Sequence, residues 1–305
     1  MRSHRSRLAA VAQGLIGFSL ATVLVPAWAS ALPGNGLTTK VLGYHVSWRG
    51  WTDGPATVPW DHFTHLSYFA VAAQPNGSLG CNDTCPPATP CWTAATFRSL
   101  TLAGHAHNVK VGLSLVAANY PAYSTYQDSI HAFLAPSVRA VLIDNIVARI
   151  LAAGADGVDV DIEWPKPGDA GAYASFIGEI TRAVHGAVPG SYVYVAVPAW
   201  DYPGLNNYAT LADSSDALAI MGYGYHGDFG GSEPGPVAPI SNGTTWFSPP
   251  FDLKETLDWY AARGIPTSKL LLGFPVYATE WPTTSGGVPG TRMAGAVRFP
   301  LVKDD

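Results

Sequence analysis

The stretch Asp156-Gly157-Val158-Asp159-Val160-Asp161-Ile162-Glu163 concentrates carboxylic acids that could do proton chemistry. In an extended backbone successive side chains alternate faces, so Asp159, Asp161 and Glu163 point one way while Val158, Val160 and Ile162 point the other. Three acids then line one face, spaced roughly 6–7 Å apart along the backbone. Held on an inward, partly dry face they cannot all ionise, and at least one keeps its proton near neutral pH. A protonated carboxyl of this kind is what a glycosidase needs to protonate a leaving oxygen. The same row also fits a divalent-metal site or a purely structural role. The calcium-loop pattern fails, because the loop glycine and the distant bidentate acid are missing. A wholly aliphatic opposite face speaks for a buried central strand rather than a solvated edge.

The elements around this row alternate in type. Strands are expected at Lys40 to Val46, Phe63 to Ala72, Val109 to Val116, Gly157 to Ile162, Tyr192 to Pro198, Ala217 to Tyr223 and Leu270 to Tyr277. Helical spacing follows Ser137, read as an N-cap, and runs to a stop at Gly154; it recurs from Ala170 to Val184 and from Leu253 to Ala262. Continuous apolar strands alternating with one-faced helices suit a closed (β/α) barrel, although an open doubly wound sheet gives a similar pattern. Gly- and Pro-rich stretches at Pro75 to Pro90, Gly227 to Pro250 and Pro282 to Gly290 read as long surface loops.

The first residues, with Arg2, Arg5 and Arg7 ahead of an apolar run to Trp28 and then Ala29-Ser30-Ala31, read as a secretory signal peptide over residues 1–31. The expected product is secreted and extracellular, with no stable membrane anchor. Its loss takes the formal net charge of −5 three units lower, since the segment carries three arginines and no acids. An acidic chain argues against a nucleic-acid partner. Residues 32–305 suffice for one large domain. Cys81, Cys85 and Cys91 sit in one Pro-rich segment, where one local disulfide with one thiol left over is expected and a zinc site is weakly supported.

The acidic stretch followed by Trp164-Pro165 resembles the DGxDxDxE signature on the fourth strand of glycoside hydrolase family 18, the chitinases and their relatives. Other segments resemble that family in order: Val41-Leu42-Gly43-Tyr44 its first strand, Thr64 to Ala70 its second and Val111 to Ser114 its third. Met221-Gly222-Tyr223 resembles the sixth strand, and Leu272 to Tyr277 with Trp281 the seventh. The resemblance implies a (β/α)8 TIM barrel and substrate-assisted, retaining hydrolysis of chitin or another N-acetylglucosamine-containing oligosaccharide, with no cofactor and no metal. It implies Glu163 as acid and then base, Asp161 on the acetamide N–H, Asp159 tuning Asp161, and Tyr223 donating to the acetamide oxygen. Asp156, out of phase with the other acids, and Gly157 would order the strand and its turn. Tyr44, Phe69, Trp164, Met221, Tyr225 and Trp281 are the substrate-binding candidates, with Trp48 and Trp200 as further aromatic walls. No protein partner is predicted.

Three departures from the family stand out. Ser114-Leu115-Val116-Ala117 replaces a Ser-x-Gly-Gly pattern, and Gly224 stands where Asp commonly follows the tyrosine of the sixth strand; Tyr225 or His226 would have to compensate. After Trp281 there is no Trp and no long apolar run, so the eighth strand is expected to be missing from this chain and the domain at 32–305 truncated at its C-terminus. Arg292 to Phe299 reads as the start of the segment leading towards that strand.

Overall fold

The computed structural model describes residues 36–47, 54–81, 94–117, 123–202, 205, 207–226, 235–241, 252–280 and 297–300. The signal-peptide segment at 1–31, Trp48, Cys85, Cys91 and Trp281 lie outside them.

Seven parallel strands form one continuous path: β1 (Leu42–Val46), β2 (His65–Ala73), β4 (Lys110–Ala117), β5 (Gly157–Val160), β6 (Tyr192–Pro198), β7 (Ala217–Met221) and β8 (Leu270–Leu272), each hydrogen-bonded to the next. The short strand β3 (Leu79–Cys81) returns antiparallel on β2. Helices α1 (Ala94–Ala106), α2 (Tyr123–Phe133), α3 (Pro136–Ala153), α4 (Ala170–Ala187), α5 (Tyr208–Ser214) and α6 (Leu253–Ala261) occupy the crossovers. This is the (β/α)8 barrel architecture with seven of its strands in the sheet path of the described residues, which ends at β1 and β8.

Strand alternation divides the apolar side chains into two layers. Val158, Val160 and Ile162 on one side of β5, with Val193, Val195 and Val197 of β6 and Leu218 and Ile220 of β7, pack with the helices in one large core. Tyr192, Tyr194 and Ala217 face the other way and cluster separately with Leu42 and Leu271, filling the barrel interior near the strand starts. Interior filling by bulky side chains is what makes such a barrel a packed core rather than a pore.

Several local expectations need correction. Helix α3 begins at Pro136, after Ala135 as N-cap, so Ser137 lies inside the first turn. Pro fits there because its fixed φ is already helical and its missing N–H has no intrahelical partner to lose. Gly154 does stop the helix, at φ 68°, with its N–H on the Ile150 and Leu151 carbonyls. Within the Pro75 to Pro90 stretch expected as loop, Leu79–Cys81 pairs with Val71–Ala73. Asn76-Gly77, with Gly77 at φ 82°, makes that hairpin, a dipeptide signal present in the sequence. The seventh barrel strand stops at Leu272; Tyr277 instead starts β9 (Tyr277–Glu280), which pairs antiparallel with β10 (Val297–Pro300) outside the main sheet. Of the segment expected to lead towards an eighth strand, Val297 to Phe299 pair instead with β9.

Candidate active site

The acids sit where β5 leaves the sheet. Asp159 is opposite Ser114 of β4 and Tyr194 of β6. The ladder of β5 closes at Val160, after which the Asp161 N–H bonds the Leu115 carbonyl at 2.8 Å. Gly157 permits the close approach of β6: a Cβ there would lie 2.2 Å from the Tyr192 carbonyl oxygen. Asp156 holds the start of the strand, since its Oδ2 accepts from the Val111 N–H at 2.7 Å and lies 2.7 Å from His105 Nε2. Asp156 is thus joined to α1 and β4 and stands apart from the other acids.

Asp159 is fully buried and its Oδ2 accepts from Ser114 Oγ at 3.0 Å; that hydroxyl lies 2.7 Å from Ser67 Oγ. Among the described residues, Asp159 Oδ1 and Asp161 Oδ1 are both buried without a hydrogen-bond partner. Burial lifts the Asp159 carboxyl to about 6, with Ser114 and Tyr44 pulling it back. Asp161 is pushed well above the carboxylate range by burial and by the charges of Glu163 and Asp159. Burial also raises Glu163. Burial thus raises the proton affinity of all three acids, and Glu163 stands at the outer end of the row, the position of a proton donor.

Tyr223, just beyond the end of β7, comes under the electrostatic influence of this row. Gly222 and Gly273 let the chain ends of β7 and β8 touch, a Cβ at Gly222 meeting the Gly273 carbonyl oxygen at 2.6 Å. Tyr223 follows directly, and burial, then the charges of Asp161 and Glu163, raise its proton affinity. Its ring meets Tyr277 edge-on at 6.1 Å. Tyr44 behaves alike: burial of its hydroxyl end, then Asp159 and Asp161, push the phenol well up, while its ring packs edge-on at 6.1 Å against the half-buried Phe69. Met221, partly buried, ends β7 beside them. Trp164 is partly buried and meets Tyr202, a ring not anticipated from the sequence, at 5.8 Å.

The expectation that Tyr225 forms a substrate wall is corrected. It is 2% exposed, packs with Ala199 and Leu253, and shares its hydroxyl with Thr256. Its ring instead backs the half-exposed Trp200 edge-on at 6.2 Å. His226 lies in the loop after β7 and is fully buried there. Gly224 adopts φ 75°, a left-handed conformation that favours glycine. At the other departure, Val116 and Ala117 continue the ladder against Ala72 and Ala73, filling the place of paired glycines. Among the described residues no group of three or more His, Cys, Asp and Glu side chains could hold a metal ion.

The family model for glycosyl hydrolases family 18 matches residues 40–304, which spans every element of this site. The chain belongs to that family. Among its relatives, the glycosylase YdhD of Bacillus subtilis is 29% identical over 152 residues, covering 48% of this chain and 32% of that protein. Chitinase 1 of Aphanocladium album is 21% identical over 283 residues, covering 83% of this chain and 63% of that protein. The chain thus spans less than two thirds of either relative. The Ostrinia furnacalis Group II chitinase catalytic domain 2, solved in complex with (NAG)5, superposes with a TM-score of 0.71 at 20% identity, over 84% of this chain and 70% of that one. The barrel is therefore the family's fold, and the acidic row occupies the end of a family 18 strand.

Proposed function

We propose that this family 18 domain hydrolyses β-1,4-linked N-acetylglucosamine polymers, chitin or chitooligosaccharides, by substrate-assisted retaining catalysis. The observation that carries the reading is the buried Asp161 Oδ1, without a hydrogen-bond partner among the described residues, in a row with Asp159 and Glu163 whose charges also act on Tyr223. Such a pair of acids with a phenol is complementary to a 2-acetamido group: Asp161 accepts its N–H and Tyr223 donates to its oxygen.

The acetamide oxygen attacks the anomeric carbon while the glycosidic C–O bond breaks, and the Glu163 proton passes to the departing oxygen. Positive charge on the resulting oxazolinium is stabilised by Asp161, whose own charge Asp159 and Ser114 modulate. Water then adds to the anomeric carbon, its proton goes to the Glu163 carboxylate, and the bond to the acetamide oxygen breaks, so configuration is retained. Trp164, Phe69 and Trp200 offer flat faces for neighbouring sugars. The arginine-led apolar segment at the start of the chain supports export, in keeping with a polymeric substrate outside the cell.

The test is digestion of soluble chitooligosaccharides by the protein and by Glu163→Gln. A fall of about 10²–10⁴-fold in turnover for the variant is expected. Wild-type turnover equal to that of the variant rejects the hydrolase reading; oligosaccharide binding without cleavage points to a chitinase-like lectin, and release of glycans from glycoproteins alone points to an endo-β-N-acetylglucosaminidase.

A further inference from the structure

Helix α2 is laced to the segment that follows β5. Tyr126 Oη accepts from the Glu163 N–H at 2.7 Å. Its neighbour Gln127 donates through Nε2 to the Trp164 carbonyl at 3.3 Å and to the Tyr202 hydroxyl at 3.2 Å. Farther along the helix Asp128 pairs with Lys166, and His131 Nδ1 lies 2.8 Å from Asp169 Oδ1. The Asp128 and Lys166 side chains are largely exposed, so their pair is worth little. The Tyr126 and Gln127 bonds differ in kind, because they grip the backbone of the Glu163-Trp164 dipeptide from its N–H and from its C=O.

The need for such a grip follows from where β5 ends. Its ladder closes at Val160, and the Asp161 N–H bond to the Leu115 carbonyl extends the tie to the sheet by one residue. Glu163 lies two residues beyond that support. Tyr126, by contrast, is 2% exposed and packed in the main core, on a helix that follows β4. A general acid must hold its carboxyl within a fraction of an ångström of the leaving oxygen, and a misplacement of about 1 Å can cost 10²-fold in rate. A backbone fixed by a neighbouring rigid helix meets that demand where the strand cannot.

We propose that Tyr126 and Gln127 are positioning residues for Glu163, forming a brace that fixes the acid's backbone from α2. The effect on turnover rests on the hydrolase reading; the effect on the backbone does not. Tyr126→Phe keeps the buried ring and removes the acceptor, and Gln127→Leu removes the donor at similar volume. Amide hydrogen exchange of the full chain reads the brace directly: Glu163 is expected to exchange at least tenfold faster in Y126F, with Asp161, bonded to Leu115, unchanged. Kinetics on soluble chitooligosaccharide are expected to show kcat lower by about ten- to hundredfold in Y126F and less in Q127L, with KM within about twofold. Asp128→Ala, on the same helix but bonded only at the surface, is expected to keep wild-type kcat.

Unchanged exchange at Glu163 in Y126F overturns the brace whatever the activity. So does an equal loss of kcat in D128A, which would mean that general docking of α2 matters rather than these two bonds, and so does a loss carried by KM. If the wild type shows no cleavage that depends on Glu163, the hydrolase reading fails while the exchange experiment still decides the brace.

Discussion

Asp159 is held in a state that opposes stability for the sake of charge placement. Its carboxyl rises from 3.8 to about 6 on folding, chiefly through burial. A raised folded value means that the native state keeps a proton the unfolded chain has already lost. The stability it contributes is therefore fully present below about pH 4 and is lost as pH rises through about 6. Asp159→Asn removes the ionisation at nearly constant shape. Chemical denaturation should show the variant more stable than wild type above pH 6, by on the order of 1–3 kcal/mol, with the gap closing near pH 4. A variant equally destabilised at both pH values would contradict this. The same substitution should lower turnover, because Asp161 then loses the neighbouring charge that tunes it. Alternation along the strand made this row visible in the sequence. The hydroxyls that temper it were less legible: Ser114 stands 45 residues before Asp159 and Ser67 lies 47 before Ser114.

At the scale of elements, one device recurs at strand starts. Asp156 donates its N–H to the Val111 carbonyl at 2.7 Å and takes the Val111 N–H on Oδ2 at 2.7 Å, with His105 from the helix end also on Oδ2. Asp216 does the same with Val193, through bonds of 2.9 Å and 2.7 Å, with His185 of α4 at 2.9 Å. Each acid thus ties a helix end and two strands together on the side of the barrel away from the acidic row. Asp156→Ala orphans a buried N–H and should cost on the order of 1–3 kcal/mol in denaturant melts, while leaving the pH dependence of turnover unchanged. A change in that pH profile would instead bring Asp156 into the chemistry. Hydrogen bonding to Asp156 raises the His105 value. Its contribution is accordingly complete below the ordinary histidine range and is lost as pH rises through the raised value, so the cost of His105→Ala should shrink in alkaline buffer. The role of Asp156 in ordering the strand was readable from its phase. Its histidine partner was not, because only the helix-to-strand crossover brings residues 51 apart into contact.

For the whole molecule, the outer edges of β1 and β8 are unpaired among the described residues. Tyr44 at one edge is 48% exposed, and Phe274 and Val276 beyond the other are 62% and 81% exposed. Unpaired strand edges flanked by apolar side chains invite pairing with another chain. Residues 32–305 expressed alone should therefore self-associate with rising concentration in sedimentation experiments. A stable monomer across the micromolar range would count against open edges. A scattering envelope matching a complete eight-stranded barrel would do the same.

The sequence by itself determined the alternation of strands and helices, the face on which Asp159, Asp161 and Glu163 lie, and the family, because each depends on residues close together in the chain. Tertiary structure decided what surrounds that face. It buried Tyr225 and His226, turned Gly224 into the left-handed region, ended β8 before Tyr277, and brought Tyr126 and Gln127 onto the backbone of the acid. These outcomes depend on which elements meet in space. Burial, proton affinity and positioning of the acidic row are properties of that meeting and leave no periodic trace along the chain.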